Sequence, residues 1–204
     1  MQQEEIKAIM ISAVVLAAAF AIARGGGIFG GFRFNFVSLL VSSLIAVSLG
    51  FILHEMGHRY LAKKYGYYAE FKMWSRGLIM AVMFSFFGFV FAAPGAVVIH
   101  PRADLYGRFS PITKKKYGLV SLMGPVMNLV LVGIFFGLLF IFPTGFLADV
   151  FVTGMFVNIW LALFNMLPVF VLDGAKIFAW DRKIWGAVFA LIIVLFGLST
   201  LFAF

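Results

Sequence analysis

The stretch SLGFILHEMGHRYLAKK (Ser48–Lys64) closes a long apolar run and places two histidines and a glutamate within five consecutive positions. On a helix, His54 and His58 are four residues apart, so their side chains lie on one face, one turn from each other. Two imidazoles in that arrangement can bind one zinc ion, and Glu55 can reach a water on the metal. The stretch therefore predicts a membrane helix that carries an HExxH zinc site.

The depth of this pattern in its helix favours a metal site over an ordinary helix end. Histidines and a glutamate at the membrane surface could simply contact lipid headgroups. His54, however, precedes Lys63 by about 14 Å of helix, at a rise of 1.5 Å per residue. Ionisable side chains at that depth are costly and are usually functional. We therefore interpret the pattern as a functional site within the membrane.

The composition of the whole chain is that of an integral membrane protein. Of its 204 residues, 64% are hydrophobic and 12% are charged, whereas a soluble domain is about half apolar and a quarter charged. The net charge is +8, but the basic residues lie between apolar runs. That distribution is typical of topology anchors in a lipid bilayer, and we expect no nucleic-acid partner. The absence of cysteine excludes disulfides, thiolate ligands and a cysteine nucleophile.

The number of membrane spans depends on one ambiguous apolar run, at 80–99. Runs long enough to cross a bilayer lie at about 6–23, 36–61, 80–99, 117–142, 146–167 and 185–204. If 80–99 re-enters the membrane instead of crossing it, only Arg24 and Arg33 of the 16 basic residues face the outer side. The positive-inside rule favours that topology. It predicts five spans, with the N-terminus cytoplasmic and the C-terminus outside.

The region at about 66–101 has features of a small sheet. The sequence AEFKM at 69–73 alternates polar and apolar residues, as a half-buried strand does. Pro94-Gly95 is a turn signal that interrupts the ambiguous run. We therefore expect an all-α polytopic membrane protein of about five to six transmembrane helices, with a small membrane-associated β-hairpin or sheet after the HExxH helix. The strand at 69–73 could pair with an extended substrate, or the hairpin could be only a lid or a packing element.

A third metal ligand is required, because catalytic zinc normally takes three protein ligands and one water. The remaining histidine, His100, is a weaker candidate than Asp173, which follows the apolar run at 146–167. In the five-span topology, His54 and Asp173 both lie at cytoplasmic ends of their spans. The alternative for Asp173 is a helix-end residue paired with Lys176.

Two asparagines are further candidates. Asn128, in GPVMNLVLVGIFFG, lies about 16 Å into its apolar run, at 1.5 Å per residue. Its amide could form a hydrogen bond between helices, or it could hold a substrate carbonyl or an oxyanion. For Asn165 the same two roles compete with helix capping near Pro168. The residues alone leave these alternatives open.

Three motifs, in this order, resemble those of the site-2 proteases, which are intramembrane zinc metalloproteases: HEMGH, GPVMN and NMLPVFVLDG. The HExxH is shared with many metallopeptidases, but the ordered triple is highly specific. The resemblance implies one Zn²⁺ per chain, held by His54, His58 and Asp173. It implies that Glu55 is the catalytic acid–base and that Asn128 lines the active site.

The resemblance also implies the organisation and activity of the protein. We expect one transmembrane metalloprotease domain over 1–204, with its core at about 36–184 and without a PDZ-like or CBS-like domain. Its activity would be regulated intramembrane proteolysis, in which the transmembrane segments of membrane-protein substrates are cleaved. We expect a multi-pass protein of a prokaryotic cell membrane, with the active site near the cytoplasmic face.

Other classes of membrane protein fit the sequence less well. The chain has no GxSxG of a rhomboid-type serine protease and no GxGD of a presenilin-type aspartyl enzyme. A prenyl-protein protease would need a glutamate ligand, and no glutamate besides Glu55 is well placed. The remaining alternatives are a catalytically inactive homologue and a membrane metal-binding or transport protein. A pure metal binder does not need Glu55, and a transporter should carry more intramembrane carboxylates.

Overall fold

The structure, a computed structural model, describes residues 3–30, 36–101, 111–169 and 171–201. The elements, in chain order, are α1 (Gln3–Arg24), α2 (Gly27–Gly30), α3 (Phe36–Lys64), β1 (Tyr68–Met73), α4 (Ser75–Ser85), β2 (Gly95–His100), α5 (Lys114–Ile141), α6 (Gly145–Asn165), α7 (Asp173–Trp180) and α8 (Arg182–Leu201). The end of the last predicted span, 202–204, lies outside the described residues.

Five helices in the described part of the chain are long and apolar enough to cross a membrane: α1, α3, α5, α6 and α8. The ambiguous run at 80–99 does not form a sixth. It divides into the end of α4, an irregular segment and most of β2. Gly88, with φ of 80°, takes a left-handed conformation that favours glycine, and Pro94 lacks the N–H that a continuing helix requires. The all-α polytopic prediction with five spans is therefore confirmed.

The predicted small sheet is also confirmed. β1 and β2 pair antiparallel, in a register that runs from Tyr68 opposite His100 to Met73 opposite Gly95. The two strands are not joined by a tight hairpin turn, because α4 lies between them in the chain. The apolar residues after Trp74 are numerous enough to form a helix, which packs against α1.

The carboxylate of Glu5 attaches α1 to the rest of the molecule. It is buried, and its Oε1 accepts hydrogen bonds from Arg59 Nη1 on α3 and, at 3.0 Å, from the backbone N–H of Phe71 on β1. One side chain therefore connects α1, the HExxH helix and the sheet. The sheet lies against α3 as a consequence, next to the HExxH residues.

The short helix α7 was not predicted from the sequence. It begins at Asp173 and packs mainly against α5. A Cβ on Gly174 would collide with the backbone of Met166 and Leu167, so glycine permits the chain to turn back this closely. The turn brings Asp173 to the C-terminal end of α6, on the same side of the bundle as the end of α3.

Candidate metal centre

His54, His58 and Asp173 lie together between α3 and α7. The Nε2 atoms of the two histidines are 3.2 and 3.0 Å from the same carboxylate oxygen, Oδ2 of Asp173. One candidate ligand atom from each residue lies within 4.8 Å of the other two, and all three residues are buried. Their proximity requires α3 and α6 to end on one side of the bundle, as the five-span topology predicts.

The outer nitrogen of each imidazole is held by an oxygen atom. His58 Nδ1 is 2.7 Å from the carbonyl oxygen of Val120, and His54 Nδ1 is 2.6 Å from Asn128 Oδ1. A carbonyl can only accept, so Nδ1 carries the proton and the Nε2 lone pair faces Asp173. Metal-bound histidines typically donate their second ring N–H in this way. Two imidazoles and one carboxylate form a donor set that fits a catalytic zinc.

Asp173 is held as a carboxylate, with its two oxygens in different roles. Oδ2 faces the histidines, whereas Oδ1 accepts from Lys176 Nζ at 3.3 Å. Lys176 was the partner expected if Asp173 were only a helix-end residue. It binds Oδ1, the oxygen that does not face the histidines.

Helix α5 covers the ligand nitrogens at Gly124. A Cβ there would lie closer than 3.0 Å to Nε2 of both His54 and His58, a separation that real Cβ contacts essentially never show. Any side chain would therefore occupy the space in front of the two nitrogens. The absence of one leaves that space open to a small ligand.

Glu55 borders this space without joining the candidate ligands. Its side chain is buried, and Oε2 has no hydrogen-bond partner among the described residues. A cavity of about 20 Å³ adjoins it, which is room for about one water molecule. The cavity is lined by the three candidate ligands, Lys176, Asn165 and residues of β2. A carboxylate with an unpaired oxygen beside such a cavity can accept a proton from a small polar molecule.

The two predicted asparagines take different positions. Asn165 lines the cavity, and its Nδ2 donates to the carbonyl of Leu161 at 3.0 Å. Asn128 is fully enclosed behind His54, with its Nδ2 donating to Gly50 O at 3.2 Å and to Asn158 Oδ1 at 2.8 Å. Contact of either asparagine with substrate or an oxyanion stays a prediction.

Sequence reasoning missed Gly124 and Asn158 as parts of this centre. The signal for Asn158 was available, because it is an amide in the middle of the apolar run at 146–167. A polar side chain at that depth is a functional candidate for the same reason as Asn128. Gly124 begins the GPVMN motif, but the motif alone does not show that the glycine faces the two histidines, since that depends on what packs against it.

Comparisons with known proteins agree with this geometry. The family model for Peptidase family M50 matches residues 42–149. A protein of Methanocaldococcus jannaschii named "Putative zinc metalloprotease" is 39% identical over 188 residues, which cover 91% of this chain and 89% of the relative. No solved structure matches the chain significantly. The family match contains the HExxH, and the fold brings Asp173 to it from outside the matched residues. The chain therefore belongs to Peptidase family M50, the site-2 protease family of zinc metalloproteases.

Proposed function

We propose that the protein is an intramembrane zinc endopeptidase that cleaves transmembrane segments of membrane-protein substrates, with one zinc per chain. One observation carries the proposal. The three-residue donor set lies beside a carboxylate with an unpaired oxygen, at a cavity of about 20 Å³. A metal-storage or transport site would need the ligands but not the adjacent unpaired carboxylate.

The residues divide the chemistry between them. His54, His58 and Asp173 would hold the zinc, which supplies Lewis acidity and lowers the pKa of a water towards 7. Glu55 accepts a proton from the attacking water at Oε2 and later delivers it to the leaving amide nitrogen. Asn165, on the wall of the cavity, is placed to contact the substrate carbonyl.

The edge of β2 is the proposed binding site for an extended substrate. In an antiparallel sheet, opposite residues direct their N–H and C=O groups either both inward or both outward. The Phe71 N–H points away from β2, towards Glu5, so its partner Val97 directs its own N–H and C=O away from β1. Val97 lines the cavity. In the described part of the chain no further strand pairs with β2, so the backbone of a substrate can add there.

The strand edge proposed here for substrate pairing differs from the one that the sequence indicated. The sequence indicated the strand at 69–73, now part of β1, as the candidate for substrate pairing. One edge of β1 pairs with β2, and on its other edge Glu5 occupies the Phe71 N–H. The second strand, which the sequence did not define, has the edge that faces the cavity.

Substrates with helix-breaking residues near the cleavage site should be preferred. A transmembrane helix uses its carbonyl groups in its own hydrogen bonds, so a peptide bond becomes accessible only after local unwinding. Proline or glycine near the scissile bond reduces the cost of that step. A substrate unwound in this way can supply the extended strand that β2 binds.

The metal end of the bundle is proposed to face the cytoplasm. Most of the basic residues in the described part of the chain lie on this side: Arg59, Lys63, Lys64, Lys72, Lys114, Lys115, Lys116, Lys176, Arg182 and Lys183. The positive-inside rule assigns such an end to the cytoplasmic face. Water then has a short route to the cavity from that face.

The experiment that tests the function combines cleavage with zinc content. Wild type and Glu55→Gln are purified in full length, placed in lipid vesicles and given transmembrane peptides with and without a central proline. Wild type should contain one zinc and cleave the proline peptide faster. Glu55→Gln should keep its zinc and lose at least about 100-fold in rate, the size expected for a general acid–base.

Glu4→Gln is the matched control, because this carboxylate lies exposed on α1 with Lys7. It should cleave like the wild type. Cleavage by Glu55→Gln at the wild-type rate would contradict the proposed role of Glu55. Zinc binding by the wild type without cleavage of either peptide would favour the inactive-homologue or metal-binding alternative.

A further inference from the structure

Asn158 connects α6 to the metal centre through a chain of hydrogen bonds. It is fully enclosed in the middle of α6 and belongs to none of the motifs in the sequence. Its Nδ2 donates to the carbonyl of Gly154 at 2.8 Å, and its Oδ1 accepts from Asn128 Nδ2 at 2.8 Å. Asn128 in turn contacts His54. A buried amide is costly unless it is hydrogen-bonded, and here both of its ends are used.

The direction of each bond follows from the carbonyl of Gly154. That oxygen can only accept, so Asn158 must turn its Nδ2 towards it and present Oδ1 to Asn128. Asn128 therefore turns its own Nδ2 to Asn158 and its Oδ1 to His54 Nδ1, 2.6 Å away. His54 must then carry its proton on Nδ1, so the lone pair of Nε2 faces Asp173. Through two amides, the carbonyl of Gly154 thus favours one tautomer of a candidate metal ligand.

Gly50 shows that the helices approach unusually closely at this point. Its carbonyl is a second acceptor for Asn128 Nδ2, at 3.2 Å, and reinforces the same amide orientation. A Cβ on Gly50 would lie 2.7 Å from Asn158 Oδ1. Only glycine therefore permits α3 to come close enough for the side chain of Asn158 to reach Asn128. The side-chain amides of Asn128 and Asn158 therefore lie where α3, α5 and α6 contact one another.

The two histidines differ in what orients them. His58 Nδ1 faces a backbone carbonyl, that of Val120, which a side-chain substitution does not remove. His54 Nδ1 faces the Asn128 side chain, whose direction depends on its own partners. His54 is therefore the ligand whose orientation can change when a distant side chain is replaced.

We infer that Asn158 is a positioning residue of the metal centre, which holds the Asn128 amide so that His54 presents an unprotonated Nε2 to the metal. The inference rests on the proposed zinc site and adds α6 to the elements that shape it. Asn158 does not line the cavity, so it acts only through Asn128. Partners that orient a metal-bound histidine typically change metal affinity by 10- to 100-fold.

The test measures zinc affinity of the full-length protein by competition with a chelator. Asn158→Leu keeps a branched shape but loses both hydrogen bonds, and should weaken zinc binding by about tenfold, the lower end of that range. Asn158→Asp should stay close to wild type, because a carboxylic acid protonated in the apolar interior has one donor for Gly154 and one acceptor for Asn128.

Thr153→Val is the matched control. Thr153 also lies buried on α6 and makes a polar contact to α3, 3.5 Å from Ser42 Oγ, but it is outside the hydrogen-bond chain. This variant should bind zinc like the wild type. Adding Asn158→Leu to Asn128→Leu should cause little further loss, because the two residues act through one path.

Three results would overturn the inference. The first is wild-type affinity in Asn158→Leu, and the second is an equal loss in Asn158→Leu and Thr153→Val. The third is an equal loss in Asn158→Leu and Asn158→Asp, which would indicate packing alone. If Asn158→Leu does not fold, Asn158→Ala takes its place under the same criteria. A wild type that binds no zinc would overturn the metal centre itself, a different failure from unchanged affinity in the variant.

Discussion

Helices α6 and α8 are similar in length and hydropathy but differ widely in how much of each is buried inside the protein. They have 21 and 20 residues, with mean hydropathies of 1.9 and 2.4 in their apolar segments. In α6, 61% of that segment is buried inside the protein, whereas in α8 only 11% is. Length and hydropathy therefore identify both as membrane spans but do not show which one borders the metal centre.

The difference lies in small and polar residues. Lipid tails are as apolar as leucine, so the hydrophobic effect does not draw one span rather than another into the centre of the bundle. On α6, Gly154 lies against the ring of Phe135, and Thr153 and Asn158 are buried with polar partners. The buried residues of α8 are Ile192 and Ser199. Buried amides and close glycine contacts, rather than apolarity, mark the helix that supports the site.

The largest effect is expected just beyond the C-terminal end of α6. Asp173→Ala removes one of three candidate ligands and should weaken zinc binding by more than about 100-fold, beyond what loss of an orienting partner causes. Asp149→Ala, an exposed carboxylate near the other end of α6, should leave zinc content at one per chain. Metal analysis of both purified variants measures this. Equal zinc content in the two would break the three-ligand site.

An intermediate effect, on the free energy of unfolding, is expected from adding one methyl group to α6 and one to α8. Gly154→Ala places a Cβ at 2.5 Å from the ring of Phe135, so α5 and α6 must separate, and overpacking of this kind costs about 1–3 kcal/mol of unfolding free energy. A Cβ from Gly197→Ala on α8 meets no atom of the described residues within 4 Å, so this variant should be neutral or slightly stabilising, because alanine favours helix. Reversible unfolding in mixed micelles would compare them. Similar behaviour of the two variants would mean that α6 is not the tightly packed helix.

The smallest effect is expected from removing methyl groups. Val157 on α6 is fully buried, whereas Val194 on α8 is 58% exposed. Val157→Ala should lower the unfolding free energy by about 1 kcal/mol, because its neighbours lose packing contacts. Val194→Ala should change it little, since lipid fills the space. The same unfolding assay measures both. A larger loss for Val194→Ala would indicate that α8 packs against a surface outside the described contacts.

Much of the site could be predicted because its signals are local or depend on composition. The spacing of His54 and His58 places them on one helical face whatever the rest of the fold does. The charge distribution favoured a topology in which 80–99 is not a span, and the structure shows no membrane-length helix there. Asp173 was identified only by elimination and by resemblance, since nothing near it in the chain indicates a metal.

Other parts could not be predicted because they depend on neighbours that are distant in sequence. Most of β2 falls within the apolar run at 80–99, whose composition is that of a membrane span. Helix α7 follows a turn, and its sequence has no clear periodicity that would predict it. Asn128 carried two open roles, and only its contacts with His54 and Asn158 favour orientation of a ligand over contact with substrate. Gly50 and Gly124 became informative only when the atoms facing them were known.

By itself, the sequence determined that this is a membrane protein of about five to six spans with a histidine–glutamate zinc pattern, because bilayer thickness and helix periodicity act on consecutive residues. The tertiary structure alone decided that Asp173 meets His54 and His58 and that residues of β2 line the cavity. It also decided that α6, rather than α8, supports the site through Asn158. These outcomes depend on hydrogen-bond direction and close packing between helices far apart in the chain, which apolar composition does not encode.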